Sequence, residues 1–287
     1  MSDYSYRKSV KSDFSDELIN TYVLRPIAGL VVRLLYHAPI TPNQVTVAAI
    51  IAGLIAAGCY WQGNAMTTAI GGILVTLKDL LDSVDGQLAR ARNQFSRRGR
   101  FLDSVGDLIV TVAVLGAISW SLYKESGDSA FFFLAAAGAL GVTLRVSYHV
   151  FYQVSYLHLH QTYSGNRIVE EITDEDRRAD SVTQMLQRIF LILYGWQDRF
   201  MLKIDRWCLG EVDDESGRRR WYEDRVGLWI SGFLGYGTEL FVLTLCSLVN
   251  EIELYLWLNL FLMNGVMVAA IFYRRVVLRP RVAIKSS

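Results

Sequence analysis

The chain has 287 residues, of which 52% are hydrophobic and only 20% charged, and its net charge is +1. A mean hydropathy of +0.24 is high for a soluble domain, and so balanced a charge carries no signal for nucleic acid, which is not expected as a partner. Cys59, Cys208 and Cys246 stand too far apart for a metal-ligand or disulfide spacing and are read as free thiols. With 4 prolines and no low-complexity tract, one all-α membrane domain with soluble extensions is expected.

In chain order, Met1 to Asp16 is polar and lacks the apolar core of a signal peptide. From Ser15 to Tyr36, Leu18, Tyr22, Leu24, Ile27, Leu30, Val31 and Leu34 recur at helical intervals, with Arg25 and Arg33 interrupting them. That pattern predicts an amphipathic helix lying on the membrane surface rather than a span, kinked at Pro26. Pro42 marks the entry to a first span, about Val45 to Trp61.

Further apolar runs follow from Ala65 to Leu81, Leu108 to Tyr123, Phe131 to Tyr152, Val226 to Val249 and Leu254 to Tyr273. The second and third reach the usual ~20 residues only if they take in part of the polar stretch between them. The resulting division is an N-terminal segment over 1–44, a six-helix transmembrane domain over 45–273 and a basic tail over 274–287. Within the long link 153–225, Ile189 to Tyr194 is too short to cross, so an amphipathic interfacial helix is predicted there. Glu170 to Asp180 reads as a solvated helix or loop.

The cation-rich links orient the bundle. Arg90, Arg92, Arg97, Arg98 and Arg100, the link 153–225, and the tail with Arg274, Arg275, Arg279 and Arg281 fall on one side, while Lys124 is the only cation of the short opposite links. Both termini and the polar junction are therefore placed in the cytoplasm, in a cell (inner) membrane.

That junction runs from Asp82 to Asp107. On a helix turning about 100° per residue, Asp82, Asp85, Gly86 and Ala89 fall within an arc of roughly 100°. Asp103 and Asp107 share a face, with Gly99 one turn before Asp103. Two helices each presenting two carboxylates make an all-oxygen site for hard divalent cations such as Mg²⁺ or Mn²⁺. Gly86 and Ala89 leave a notch beside the carboxylates, and Arg90 adds a cationic fork suited to phosphate. Metal, phosphate and a shallow slot together suggest a nucleotide diphosphate.

The stretch Asp-x2-Asp-Gly-x2-Ala-Arg-x8-Gly-x3-Asp-x3-Asp, with every fixed position filled, resembles the signature of the CDP-alcohol phosphotransferase family. Thr41-Pro42-Asn43-Gln44-Val45-Thr46 is similar to the segment before that family's first membrane helix. The resemblance is specific from about Thr41 to Asp107 and weak beyond.

It implies an integral-membrane transferase of phospholipid biosynthesis that moves a substituted phosphate, phosphatidyl in the leading reading, from a CDP-alcohol to a small polar acceptor with release of CMP. CDP-diacylglycerol is the favoured donor and a polyol phosphate the favoured acceptor. The resemblance further implies metal ligation by Asp82, Asp85, Asp103 and Asp107, which would hold two ions, with Asp107 as general base. It also implies donor contacts at Asn43, Thr46, Gly86, Ala89, Arg90, Ser96 and Gly99. No Cys or Ser stands where a covalent intermediate would need it, so direct transfer is expected. Membrane lipids are partners, and a homodimer is compatible.

Two other classes bury carboxylates in membranes. A prenyltransferase with Asp-bound Mg²⁺ carries its motifs on helices far apart in the chain, and an ion transporter places its acids nearer mid-membrane and has no use for Gly86, Ala89 and Arg90. Lys78, one turn before Asp82, reads as a charge-balancing or snorkelling lysine rather than a phosphate contact. His158 and His160 read as surface histidines. Arg145, inside the fourth span, has two readings of equal weight: a contact to an acceptor anion, or a structural pair with a carboxylate.

Overall fold

The computed structural model describes residues 4–9, 17, 19–160, 168–210 and 214–284, and among these it is helical with no strand. A single turn, α1 (Tyr6–Ser9), precedes a π-helical turn at Asn20–Leu24 that runs into α2 (Arg25–Leu35). Pro26 sits in the first turn of α2, directly after the π-helical turn, where the helical run passes from π to α geometry. The expected helix from Ser15 is therefore described only from Ile19, because 10–16 and 18 lie outside the described residues. Ala28 and Val32 are buried against Val84 and Leu88, while Tyr22, Leu30 and Leu34 are exposed.

α3 (Pro42–Gln62) opens with a reciprocal cap: Gln44 N–H donates to Thr41 Oγ1 at 3.4 Å and Thr41 N–H to Gln44 Oε1 at 2.8 Å. It stops at Gly63, whose φ of +77° is left-handed. Asn64 caps α4 (Ala65–Ala91), and the Ser96 hydroxyl accepts from Gly99 N–H at 2.9 Å to open α5 (Arg97–Ser126). α3 packs on both, closely enough that a β-carbon on Gly53 would come within 2.5 Å of Val110, and one on Gly106 within 2.3 Å of Ile50. Arg92, just past α4, holds the link between α2 and α3: its guanidinium donates to the carbonyls of Leu35, Tyr36, Ala38 and Ile40.

α6 (Ala130–Leu159) continues a further two turns past the expected end at Tyr152. After a single turn, α7 (Asp174–Arg177), the link forms α8 (Ser181–Leu209), started by the Asp180 carboxylate on Val182 and Thr183 N–H, both at 3.1 Å. α8, 29 residues long, packs along α5 and α6 and leaves Val182, Met185, Ile192, Trp196, Phe200 and Trp207 exposed on its other side.

The 170–180 stretch is exposed at Glu171, Ile172, Asp174, Arg177, Arg178 and Asp180, as expected, but two of its acids are not. Glu170 and Asp176 are both 3% exposed, since Arg97 pairs with both and Arg100 with Glu170 at 2.9 Å. Gln187 donates to Glu170 Oε1 at 3.1 Å and to Asp176 Oδ2 at 3.2 Å. Buried acids survive where cations and donors compensate their desolvation.

α9 (Glu215–Tyr222) and α10 (Arg225–Gly232) lead to α11 (Tyr236–Leu248). The expected continuous fifth span is thus broken at Phe233, Leu234 and Gly235. The Glu17 carboxylate occupies the break, accepting from Tyr236 N–H at 3.0 Å and Gly237 N–H at 2.7 Å. The last membrane-length stretch comprises α12 (Ile252–Trp257), α13 (Asn264–Phe272) and α14 (Arg279–Ile284), joined by π-helical turns at Leu258–Met263 and Tyr273–Leu278.

By length and composition, five stretches of the described residues can cross a membrane: Pro42–Gln62, Arg97–Ser126, Ala130–Leu159, Glu215–Leu248 and Ile252–Val282. α4 is long enough at 27 residues but carries Lys78, Asp79 and Asp82 within its apolar length. The main core, with Tyr60, Val75, Val114, Ile118, Leu243 and Leu256, joins α3, α4, α5, α6, α11 and α12.

Candidate active site

A cavity of about 360 Å³ opens between α4, α5, α6, α8 and the start of α11. Asp82, Asp85, Asp103 and Asp107 all line it, brought together because α4 and α5 both lie against α3 and present their two carboxylates inward. One oxygen from each of Asp82, Asp85 and Asp103 lies within 4.8 Å of the others. Three carboxylates so close, Asp85 buried and Asp82 and Asp103 partly so, repel one another unless a cation sits among them, and a set of hard oxygen donors fits a divalent ion of the Mg²⁺ or Mn²⁺ type.

Asp107 is set apart from those three. Its Oδ1 contacts Lys78 Nζ, which also contacts Asp82 Oδ2, and Lys78 is 1% exposed. Lys78 therefore balances charge, as its place on the helix suggested, and bridges α4 to α5 in doing so. Tyr236 flanks the group. Its hydroxyl donates to the Asp107 carbonyl at 3.3 Å and lies 2.9 Å from Thr111 Oγ1, and its ring centroid is 4.5 Å from Lys78 Nζ.

The other residues singled out in the sequence divide into two groups. Gly86 and Arg90 line the cavity with the carboxylates, and Arg90 Nε donates to the Ser9 carbonyl at 2.6 Å. Thr46, Asn43, Ser96, Gly99 and Ala89 do not line it. The Thr46 hydroxyl donates to Asp85 Oδ2 and so orients that carboxylate. Asn43 Oδ1 is 3.5 Å from Ser96 Oγ, and a β-carbon on Gly99 would come within 2.5 Å of it, so a side chain there would have to displace the Asn43 and Ser96 side chains.

Arg145 is not brought to the cavity. It is 1% exposed and its guanidinium pairs with Glu239 Oε2 at 2.7 Å. It also donates to the Asn259 carbonyl at 3.0 Å and Asn264 Oδ1 at 2.7 Å, while Glu239 accepts from Tyr255 OH at 2.8 Å. Of its two readings the structure takes the ion pair, because α11 supplies a buried carboxylate that the sequence pattern did not connect to it. His160 Nε2 lies 3.3 Å from Glu223 and His158 is exposed, so neither joins the site.

The wall that α6 and α8 supply mixes apolar side chains (Val142, Val146, Val150, Phe190) with polar ones: Ser147, His149 and Gln153 from α6, Tyr194 and Asp198 from α8. Tyr194 OH donates to the Ser104 carbonyl at 2.9 Å, and Ser147 Oγ to Gln197 Oε1 at 2.7 Å. Burial pushes the Asp198 carboxyl up to about 6. Arg100 lines the same region while holding Glu170. Apart from Arg100, which the sequence placed in a basic cluster suited to topology and to anionic lipid or substrate, none of these wall residues was found from the sequence, and neither were Glu17, Asp79 or Tyr236. They come from five separate segments and share no spacing. The one available signal was the polar run Ser147, His149 and Gln153 within an otherwise apolar span.

A family model described as CDP-alcohol phosphatidyltransferase matches residues 39–209. The chain is 32% identical over 142 residues to a bifunctional IPC transferase and DIPP synthase of Thermococcus kodakarensis, a match covering 50% of this chain and 31% of that protein. It is 35% identical over 80 residues to an archaetidylinositol phosphate synthase of Pyrococcus horikoshii, covering 28% and 41%. With a phosphatidylinositol phosphate synthase of Cutibacterium acnes it shares 34% identity over 127 residues, covering 44% and 58%. The matches span less than two thirds of each of these relatives.

Proposed function

The chain belongs to the CDP-alcohol phosphatidyltransferase family, and from that premise we propose that it is an integral-membrane transferase of phospholipid biosynthesis. In this reading it moves a phosphatidyl group from CDP-diacylglycerol to a hydroxyl of a polyol phosphate and releases CMP. The observation that carries the proposal is the gathering of Asp82, Asp85 and Asp103 around one face of a cavity that Asp107 also lines. The relatives' names, phosphatidylinositol phosphate synthase and archaetidylinositol phosphate synthase, support a polyol phosphate as acceptor.

Phosphoryl transfer asks for positioning and charge neutralisation more than for a protein nucleophile. A divalent ion, Mg²⁺ or Mn²⁺, held by Asp82, Asp85 and Asp103 would neutralise the diphosphate and the departing CMP. The chain's own groups do the rest. Gly86 leaves room for the nucleotide beside α4, and the Arg90 fork faces the same side. Thr46 keeps Asp85 turned inward. Asp107 takes the proton of the acceptor hydroxyl as its oxygen bonds the phosphorus remote from the cytidine, and the bond from that phosphorus to the CMP oxygen breaks. Ser147, His149, Gln153 and Asp198 offer hydrogen bonds to the hydroxyls of a polyol, and Arg100 offers the cation nearest its phosphate.

The same reading takes α4 as a sixth span, since it is packed between α3 and α11 and its charges face the bundle interior. Residues 1–44, with α2 resting on the membrane surface, the link 153–225 and the basic tail 274–287 then lie in the cytoplasm of a cell membrane with the active site. The test is product analysis: the purified protein, given radiolabelled CDP-diacylglycerol and pooled polyol phosphates, should release CMP and yield a phosphorylated lipid. CMP release without any acceptor dependence, or none with every CDP-alcohol tried, would overturn it.

A further inference from the structure

The four carboxylates of the motif are divided three to one, and Lys78 makes the division. Its ammonium, at the end of a stem packed among Val75, Val110 and Tyr236, lies between Asp82 on its own helix and Asp107 on α5. Asp82, Asp85 and Asp103 can converge on a single ion, but Asp107 is outside that group. A second divalent ion bound by Asp82 Oδ2 and Asp107 Oδ1 would have to sit where the ammonium now sits. Two cations cannot use the same oxygens at contact distance, and a buried ammonium deprived of both carboxylates would have no compensation for its desolvation.

We propose that Lys78 is a built-in cation standing in place of a second divalent ion. This chain then binds one ion, at Asp82, Asp85 and Asp103, while Lys78 fixes Asp107 beside it. In this arrangement Lys78 is a positioning residue, because it sets the direction of the Asp107 carboxylate and the charge around it without touching substrate. Only the task given to the ion rests on the transferase reading above.

The test is the number of Mn²⁺ ions bound by the purified protein without substrate, read from the free-ion signal in electron paramagnetic resonance. One ion per chain is expected for the wild type. Lys78→Met should admit a second ion, its affinity raised about tenfold or more once the competing charge is gone. Lys78→Arg, which keeps a cation there, should stay at one, and Lys78→Met combined with Asp107→Asn should return to one because the vacated place has lost a ligand. Thermal unfolding of each variant shows whether it is folded, and the double variant serves if Lys78→Met alone is not, since it leaves no uncompensated carboxylate at Asp107. Two ions of similar affinity in the wild type, or one ion in a folded Lys78→Met, would overturn the proposal. Ion counts as expected in a protein that releases no CMP would sink the transferase reading alone.

Discussion

The Glu17 carboxylate accepts a 2.7 Å hydrogen bond from the backbone N–H of Gly237, across 220 residues of sequence. With the matching bond to Tyr236 N–H, one acidic side chain satisfies two of the donors exposed where the fifth span breaks. A β-carbon on Gly235 would come within 2.1 Å of this side chain, so the break and the acid are fitted to each other. Because Tyr236 and Gly237 line the cavity, the N-terminal segment is part of the site's wall.

Glu17→Ala should therefore destabilise the protein by about 1–2 kcal/mol, the range seen on losing a helix cap. Thermal unfolding in detergent would measure it. Glu17→Gln, which keeps one acceptor, should lose less. An unchanged melting temperature in Glu17→Ala would mean the cap contributes nothing.

Substituting Asp82, Asp85, Asp103 or Asp107 singly by Asn should lower CMP release on the order of a hundredfold or more without unfolding the protein. A chelator should have the same effect, reversed by added Mg²⁺. Asp107→Asn retaining full turnover would remove its role as base.

For Arg145 a different outcome is expected. Removing one partner of a buried, hydrogen-bonded ion pair leaves a carboxylate uncompensated, so Arg145→Ala should cost about 3–5 kcal/mol of stability. Arg145→Met together with Glu239→Leu should recover much of it. For protein that remains folded, kcat/KM toward the acceptor should change less than about threefold. A large, selective rise in acceptor KM would instead place Arg145 in the site.

Asp198 supplies a pH dependence. Its folded-state value, about 6, lies above the ordinary carboxyl value of 3.8 because burial disfavours the charged form. The fold thus favours the protonated acid. That stabilisation is complete below the unfolded value and is lost as pH rises through about 6. Asp198→Asn should abolish this component, so its melting temperature relative to wild type should be higher at about pH 8 than at about pH 4. A difference that does not vary with pH would show that Asp198 is not held this way.

Topology is checked by reporters. Tags at Met1 and at Ser287 should both be accessible from the cytoplasm, and one inserted at Ser126 from the opposite side. Opposite locations for the two ends would mean an odd number of spans.

The carboxylate group was legible in the sequence because its geometry is local. Asp82 and Asp85, then Asp103 and Asp107, are placed by helical pitch alone, on the two helices that start at the Asn64 and Ser96 caps. What was not legible depends on pairs with no local signature. Glu170 and Asp176 read as solvated acids until Arg97, more than seventy positions earlier, is seen to reach them. The break before α11 was hidden because Phe233 and Leu234 are as apolar as a span requires, and its cap lies at Glu17. Arg145 had two readings because the choice between them is made by Glu239, on a helix whose facing side the sequence pattern did not determine.

The clasp by Arg92 has a consequence for how this stretch tolerates substitution. All four groups that its guanidinium grips are main-chain carbonyls, at Leu35, Tyr36, Ala38 and Ile40. A side chain that reads only backbone is indifferent to what its targets carry, so residues 36–40 are free to drift so long as the path of the chain is kept. Arg92 has no such freedom. A shorter, single-headed lysine cannot address four acceptors at once. Among relatives sharing this link, variety should gather at the loop while the arginine that holds it stays fixed.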